Sequence, residues 1–426
     1  MRSRMDIPTN RRGRSLSVGG AQDHQPKRCV SMNCTSPPAT RIPELDGLRG
    51  LAVLLVVLHH YVGSITPNVP LGRVLSLAFS GVDAFFALSG FLIGGILLDQ
   101  RNSERYFRAF YARRSLRILP LYYTSVAFCL LIPVVLPSVA SAVQPLFQPH
   151  LPLGSYLTLT QNFAMASHNT FGAGWLSVTW SLAVEEQFYL LLPLLIWLVP
   201  RRSLPLVLMF FVVLAPILRI NTIAFTRYVM MPSRADGLML GVLIAWAIRD
   251  DRWKTLLIKM RFAIQSATVL LAGGLTALCI RVNPSFVWVP WLHSSLAFFY
   301  SALLLLAITG RGLVSWLFRR ASLRKLGLLA YGIYLLHEPV SWLTTHVVLG
   351  GNPAFSDPPS VVVTMFAALL TYVIAAASWR FFEKPLVAIG QRVSYGQARS
   401  ACGDRDQDST TADTRAVPMD ATAALP

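Results

Sequence analysis

Arg49 and His60 stand eleven residues apart in the first hydrophobic segment, LRGLAVLLVVLHHYVG. At about 100° per residue, eleven helical steps return to within about 20° of the same face, about 16 Å further along the axis. A cation and an imidazole therefore point the same way, with Asp46 one turn before Arg49. Charged and titratable side chains inside a membrane span cost on the order of 2.5–3.5 kcal/mol each by insertion scales, and such residues mark working sites. A fixed positive charge suits an anionic group. A neutral imidazole, with an ordinary pKa near 6.5, suits removal of a proton from a hydroxyl as it attacks. The alternative for the pair is an interfacial arginine and a histidine bonded between helices.

The elements that hold these residues are membrane helices. The 426-residue chain is 54% hydrophobic and only 14% charged, with a mean hydropathy of +0.51, whereas a soluble chain carries about 25% charged residues. Continuous apolar runs, rather than alternating segments of about ten residues, exclude a β-barrel. The chain reads as an all-α polytopic membrane protein, a bundle of about ten transmembrane helices. The spans fall at 47–64, 78–98, 118–137, 176–199, 204–219, 232–248, 262–281, 291–309, 327–348 and 361–382. With both termini inside, 32 of the 38 Lys and Arg lie in inside segments and 4 at or near outer helix ends, which satisfies the positive-inside rule. The net charge of +18 is then a topological signal, and no nucleic-acid partner is needed to account for it. A bacterial inner (plasma) membrane location with both termini cytoplasmic is expected.

Three regions follow. Residues 1–40 form a basic tail and 386–426 a polar one, both expected to be disordered for want of an apolar period; residues 41–385 form the membrane domain. The first apolar stretch begins too late and runs too long for a signal peptide, and Met32 could be the true start. The five cysteines (Cys29, Cys34, Cys129, Cys279, Cys402) are scattered, and no metal is expected. No internal repeat of the transporter kind is evident.

Other spans carry polar residues of their own. Asp83 sits among aromatics at the start of the second span, placed to orient a histidine, to hold a substrate hydroxyl or to reach headgroups. Gly90 and Gly94 have the spacing of close helix packing, and Ser89 beside them reads as a packing serine because no base is attached to it by sequence. The loop that follows, QRNSERYFRAFYARRSLRILP, places Arg113, Arg114 and Arg117 on a short interfacial helix. Guanidinium forks there suit a phosphorylated donor arriving from the cytoplasm, although inside anchoring accounts for some of the charge. Glu185 and Glu186 are adjacent, hence about 100° apart and unable to serve one surface; Trp180, Ser181 and Tyr189 flank them. Arg234 either pairs with Asp236 locally or meets Glu185 or Glu186 across the bundle. Tyr331, Tyr334 and His337 make a polar stripe before the Pro339 kink, suited to a site or to interhelical hydrogen bonds.

The segments LDGLRGLAVLLVVLHH, GVDAFFALSGFLI, FYARRSLRILPLYY, WSLAVEEQFYL, SRADGLMLG, YGIYLLHEPV and FFEKPL, taken in this order from about Arg41 to Pro385, resemble the integral-membrane O-acyltransferases of acyltransferase family 3. That family includes lipopolysaccharide O-antigen acetylases, nodulation-factor modifiers and exopolysaccharide acyltransferases. The resemblance implies acyl transfer, commonly of acetyl from cytoplasmic acetyl-CoA, to a hydroxyl of a surface or exported glycan. It places His60 on the family's essential histidine and Arg49 on its arginine, with His59 standing where the family often has an aromatic. The expected site is then His60, Glu185 and Asp83 for catalysis, and Arg49, Arg113, Arg114 and Arg117 for acyl-CoA. Trp180, Glu186, Tyr189, Arg234, Tyr334 and His337 are expected to bind the acceptor. Direct transfer with His60 as base is expected ahead of a relay through an acyl-histidine. Some relatives add a soluble hydrolase-like domain; the tail here is too short for one, so transfer is expected to finish in the membrane domain. The competing class is a proton-coupled transporter using the same buried residues as an ion relay.

Overall fold

The computed structural model describes residues 42–63, 70–281, 289–309 and 312–396. The N-terminal tail, most of the C-terminal tail, and Cys29, Cys34 and Cys402 lie outside the described residues. Each apolar segment of the sequence carries a long helix: α1 (Pro43–Leu58), α2 (Gly81–Asp99), α3 (Tyr106–Val135), α4 (Thr179–Leu198), α5 (Leu204–Ile220), α6 (Met231–Ala247), α7 (Arg261–Arg281), α8 (Pro290–Ile308), α9 (Ala330–Leu349) and α10 (Pro358–Ser378). No strand occurs among the described residues. Among the described residues, seven helices are long and apolar enough to cross a membrane, or eight if the bent pair Ala224–Ala247 and Asp251–Lys259 is one span. The count of ten is thus not reproduced as such. α5 is a shorter apolar helix of 17 residues, and the tyrosines, histidines and glutamate of α9 dilute its apolar character.

Three differences from expectation bear on the site. The arginine-rich segment is no separate interfacial helix. It is the opening of α3, which runs unbroken for 30 residues through Pro120 and Pro133, about 45 Å and thus longer than a hydrocarbon core. α1 and α10 each continue into a five-residue π-helical turn, His59–Gly63 and Trp379–Glu383, a distortion that recurs at functional sites. Finally, residues 386–396 are not part of a disordered tail. A helix spans Lys384–Gln391, and the following segment packs on α3, where Arg113 donates to the Val393 carbonyl at 3.0 Å and stacks over Tyr395.

Glycine sets the closest approaches. A Cβ on Gly90 would sit 1.9 Å from the Leu238 carbonyl oxygen, and one on Gly241 2.2 Å from that of Ala87, so α2 and α6 meet backbone to backbone. α1 meets the short helix Ala321–Leu328 in the same way, since a Cβ on Gly50 would lie 1.9 Å from the Leu323 oxygen. Close approach of this kind, rather than a hydrophobic drive, associates helices in lipid. Gly50→Ala is therefore expected to lower stability by about 1–3 kcal/mol through overpacking. Thermal unfolding in detergent checks this, and an unchanged midpoint refutes the close contact.

Candidate active site

Two cavities lie side by side in the membrane domain. The first, with about 950 Å³ of empty space, is bounded by α1, α2, α3, α4 and α9 and by the π turn after α10. Arg49, Arg114 and Arg117 bring three cations to it, opposed by Glu185 and Glu383. Glu185 accepts from Ser89 at 2.6 Å and from Tyr189 at 3.2 Å, while Tyr189 also donates to Ser89 at 3.1 Å. Arg114 lies 5.6 Å from the centre of the Tyr189 ring, and Arg49 lies 3.5 Å from Asp46. Three guanidinium groups on the wall of one cavity make a receptor for phosphate or carboxylate oxygens.

The second cavity, about 1000 Å³, contains the histidines. His59 and His60 line it from the π turn, with Glu338 of α9 and an aromatic wall of Phe79, Phe171, Trp180 and Tyr228. The π turn allows adjacent histidines to face one space with ring centres 5.0 Å apart. His60 Nδ1 is 2.9 Å from the Val56 carbonyl oxygen and 3.2 Å from His337 Nε2; its Nε2 is 3.5 Å from Glu338 Oε1. His337 itself is fully buried behind His60. The ligand atoms of His60, His337 and Glu338 lie within 4.8 Å of one another, a two-histidine, one-carboxylate set of the kind that can hold zinc.

Val82 and Tyr334 line both cavities, so the arginine-lined space and the histidine-lined space share a wall there. The Tyr334 hydroxyl is fixed in this partition: it donates to the Val178 carbonyl at 2.9 Å and lies 2.5 Å from Ser181 Oγ.

Several residues expected at the site are elsewhere. Asp83 does not orient His60 in the manner expected; it is buried against Arg234 at 2.8 Å, and the orienting contacts come from His337 and Glu338. Arg234 therefore pairs neither with Asp236 nor with Glu185 or Glu186. Residues two apart on a helix face opposite ways, and Asp236 is taken instead by Arg219 of α5 and Ser294 of α8. Arg234 supports the aromatic wall from behind, 5.5 Å from the Tyr228 ring and 5.9 Å from that of Trp180. Arg113 anchors the C-terminal segment and is not among the residues lining the first cavity. Glu185 stands with the arginines rather than with His60. Glu186 lines neither cavity and has one buried carboxylate oxygen without a hydrogen-bond partner among the described residues. His337 contacts His60 rather than open space. Ser89, read from sequence as packing only, is a ligand of Glu185. Glu338 joins the site without having been expected there, although a carboxylate next to a histidine inside a span carries the same cost as the other buried charges.

A helical membrane protein with an arginine-lined cavity beside a histidine-lined one has the parts of a group-transfer enzyme. The acyltransferase-domain family model matches residues 42–380. The chain belongs to that family, acyltransferase family 3. It is 29% identical over 376 residues to the peptidoglycan O-acetyltransferase OatA of Listeria monocytogenes, covering 81% of this chain and 56% of that one. To the putative peptidoglycan O-acetyltransferase YrhL of Bacillus subtilis it is 29% identical over 381 residues, 82% and 56% of the two chains. To the O-acetyltransferase OatA of Staphylococcus aureus it is 26% identical over 370 residues, 81% and 57%. The chain thus spans a little over half the length of these relatives. No solved structure matches it.

Proposed function

We propose that this protein is a membrane O-acyltransferase that moves an acyl group, acetyl in the simplest case, from acyl-CoA to a hydroxyl of a cell-surface glycan, with His60 as general base. One observation carries the reading: the cationic cavity and the histidine cavity abut at Val82 and Tyr334. The phosphates of the donor bind Arg49, Arg114 and Arg117, and the thioester end reaches toward His60 in the π turn that follows α1. The acceptor enters the second cavity, where flat aromatic faces cover the apolar side of a sugar ring. His60 takes the hydroxyl proton, the oxygen attacks the thioester carbonyl carbon, and the carbon–sulfur bond breaks. The thiolate then recovers that proton from the imidazolium. The 32 basic residues on the Arg49 side support a plasma-membrane protein whose donor cavity faces the cytoplasm. Peptidoglycan stands in the names of the Listeria and Bacillus relatives, and a muropeptide is the first acceptor to try.

Purified protein in lipid nanodiscs, given radiolabelled acetyl-CoA and a muropeptide, is expected to label the acceptor. No thioester turnover with any glycan acceptor, together with proton-coupled uptake in vesicles, would instead establish a transporter. Within the same assay Arg117→Ala is expected to raise KM for acetyl-CoA by about 10–100-fold, the loss of a charge-assisted hydrogen bond of about 1.5–3 kcal/mol. KM for the acceptor is expected to hold; an equal rise in both overturns the donor assignment.

A further inference from the structure

We propose that His337 is the positioning residue for His60, holding it in the tautomer protonated on Nδ1 so that Nε2 is the atom that accepts the hydroxyl proton. The inference rests on the reading of His60 as the base. It follows from a chain of hydrogen bonds that has only one polarity. His337 Nδ1 lies 2.7 Å from the Tyr334 carbonyl oxygen and 3.2 Å from that of Ile333. Carbonyl oxygens only accept, so the proton of a neutral His337 ring is on Nδ1 and its lone pair is on Nε2. That lone pair faces His60 Nδ1 at 3.2 Å. The same nitrogen also faces the Val56 carbonyl at 2.9 Å. With two acceptors before it, His60 Nδ1 is a donor, and its lone pair is left on Nε2.

The groups around Nε2 complete the argument. Glu338 Oε1 is 3.5 Å away, and Trp180, Tyr228, Tyr334 and His59 line the same cavity. A hydroxyl entering there meets Nε2, whereas Nδ1 is turned to the helix and to His337. When the O–H bond breaks and the Nε2–H bond forms, the imidazolium keeps both Nδ1 acceptors and gains Glu338 beside its new proton. His337 cannot do this work directly because it is fully buried. The main-chain carbonyls of α9 thus take the place that a carboxylate holds in a catalytic triad, one imidazole removed from the base.

Two measurements test the assignment. Protein labelled with 15N-histidine, with His60 identified by signals lost in His60→Ala, is expected to show a pyrrole-type Nδ1 and a pyridine-type Nε2 at that residue. The opposite tautomer overturns the proposal. His337→Leu, which leaves no acceptor, is expected to lower kcat on the order of 10²-fold with KM for acetyl-CoA unchanged. His337→Gln, whose side-chain oxygen can accept from Nδ1, is expected to regain most of it. A merely structural role predicts no such recovery, and if His337→Leu fails to fold, the wild-type tautomer decides. If His60→Ala keeps full turnover, the base assignment itself fails; if it loses turnover while folded His337→Leu keeps wild-type kcat, only the positioning role fails. Loss of activity on EDTA treatment with recovery on adding zinc would replace the hydrogen-bonded chain by a metal centre at the same three side chains.

Discussion

His60→Ala is expected to lower the rate of acyl transfer by about 10²–10⁴-fold, the typical contribution of a positioned general base. The loss is expected in kcat, because Arg49, Arg114 and Arg117, the proposed donor contacts, line the neighbouring cavity. His59→Ala is expected to cost far less: both rings line the cavity, but it is His60 that lies against Glu338 and His337. Initial rates with labelled acetyl-CoA at saturating donor and acceptor check both variants. Equal loss in the two would mean that the π turn, rather than one imidazole, had been damaged, and an unmoved rate in His60→Ala rejects the mechanism.

Arg219→Met is expected to destabilise the folded protein by about 3–5 kcal/mol without touching either cavity. Arg219 is completely buried and contacts both Asp236 carboxylate oxygens, the Ser233 carbonyl and Ser294. Removing it strands a buried carboxylate that Ser294 and the Gly237 amide alone must satisfy. The double variant Arg219→Met with Asp236→Leu is expected to recover much of the loss, since replacing a whole buried pair by apolar groups is often neutral. Unfolding midpoints in detergent decide the matter. A single variant as stable as wild type, or a double variant no better than the single, would show that the pair contributes nothing.

The helices were legible in the sequence because apolar length alone specifies a membrane span, and each expected segment holds one. The residues of the first cavity were legible too, since a guanidinium or carboxylate inside a span is conspicuous wherever it falls. Pairing was not. Arg234 and Asp236 invited a local ion pair, yet their partners are Asp83 and Arg219, on helices 151 and 17 residues away in the chain. Which helices neighbour one another is set by close backbone contacts such as Gly90 with Leu238 and Gly241 with Ala87, and single-helix periodicity carries no trace of that. The α-helical period also stops at Leu58. His59 and His60 lie in the π turn, and Arg49 and His60 line different cavities although eleven α-helical steps would put them on one face. The division into an arginine-lined cavity and a histidine-lined one was therefore invisible, as was the approach of Glu338 to His60.

The wall that the two cavities share at Val82 and Tyr334 has a consequence for charge movement. A plasma membrane stores work as a voltage, and every elementary charge that leaks across dissipates about 2.3 kcal/mol per 100 mV. An enzyme of the proposed kind must pass its acyl group without short-circuiting that voltage. The Tyr334 ring, tied to the Val178 carbonyl and Ser181, is part of the insulation where the two cavities meet.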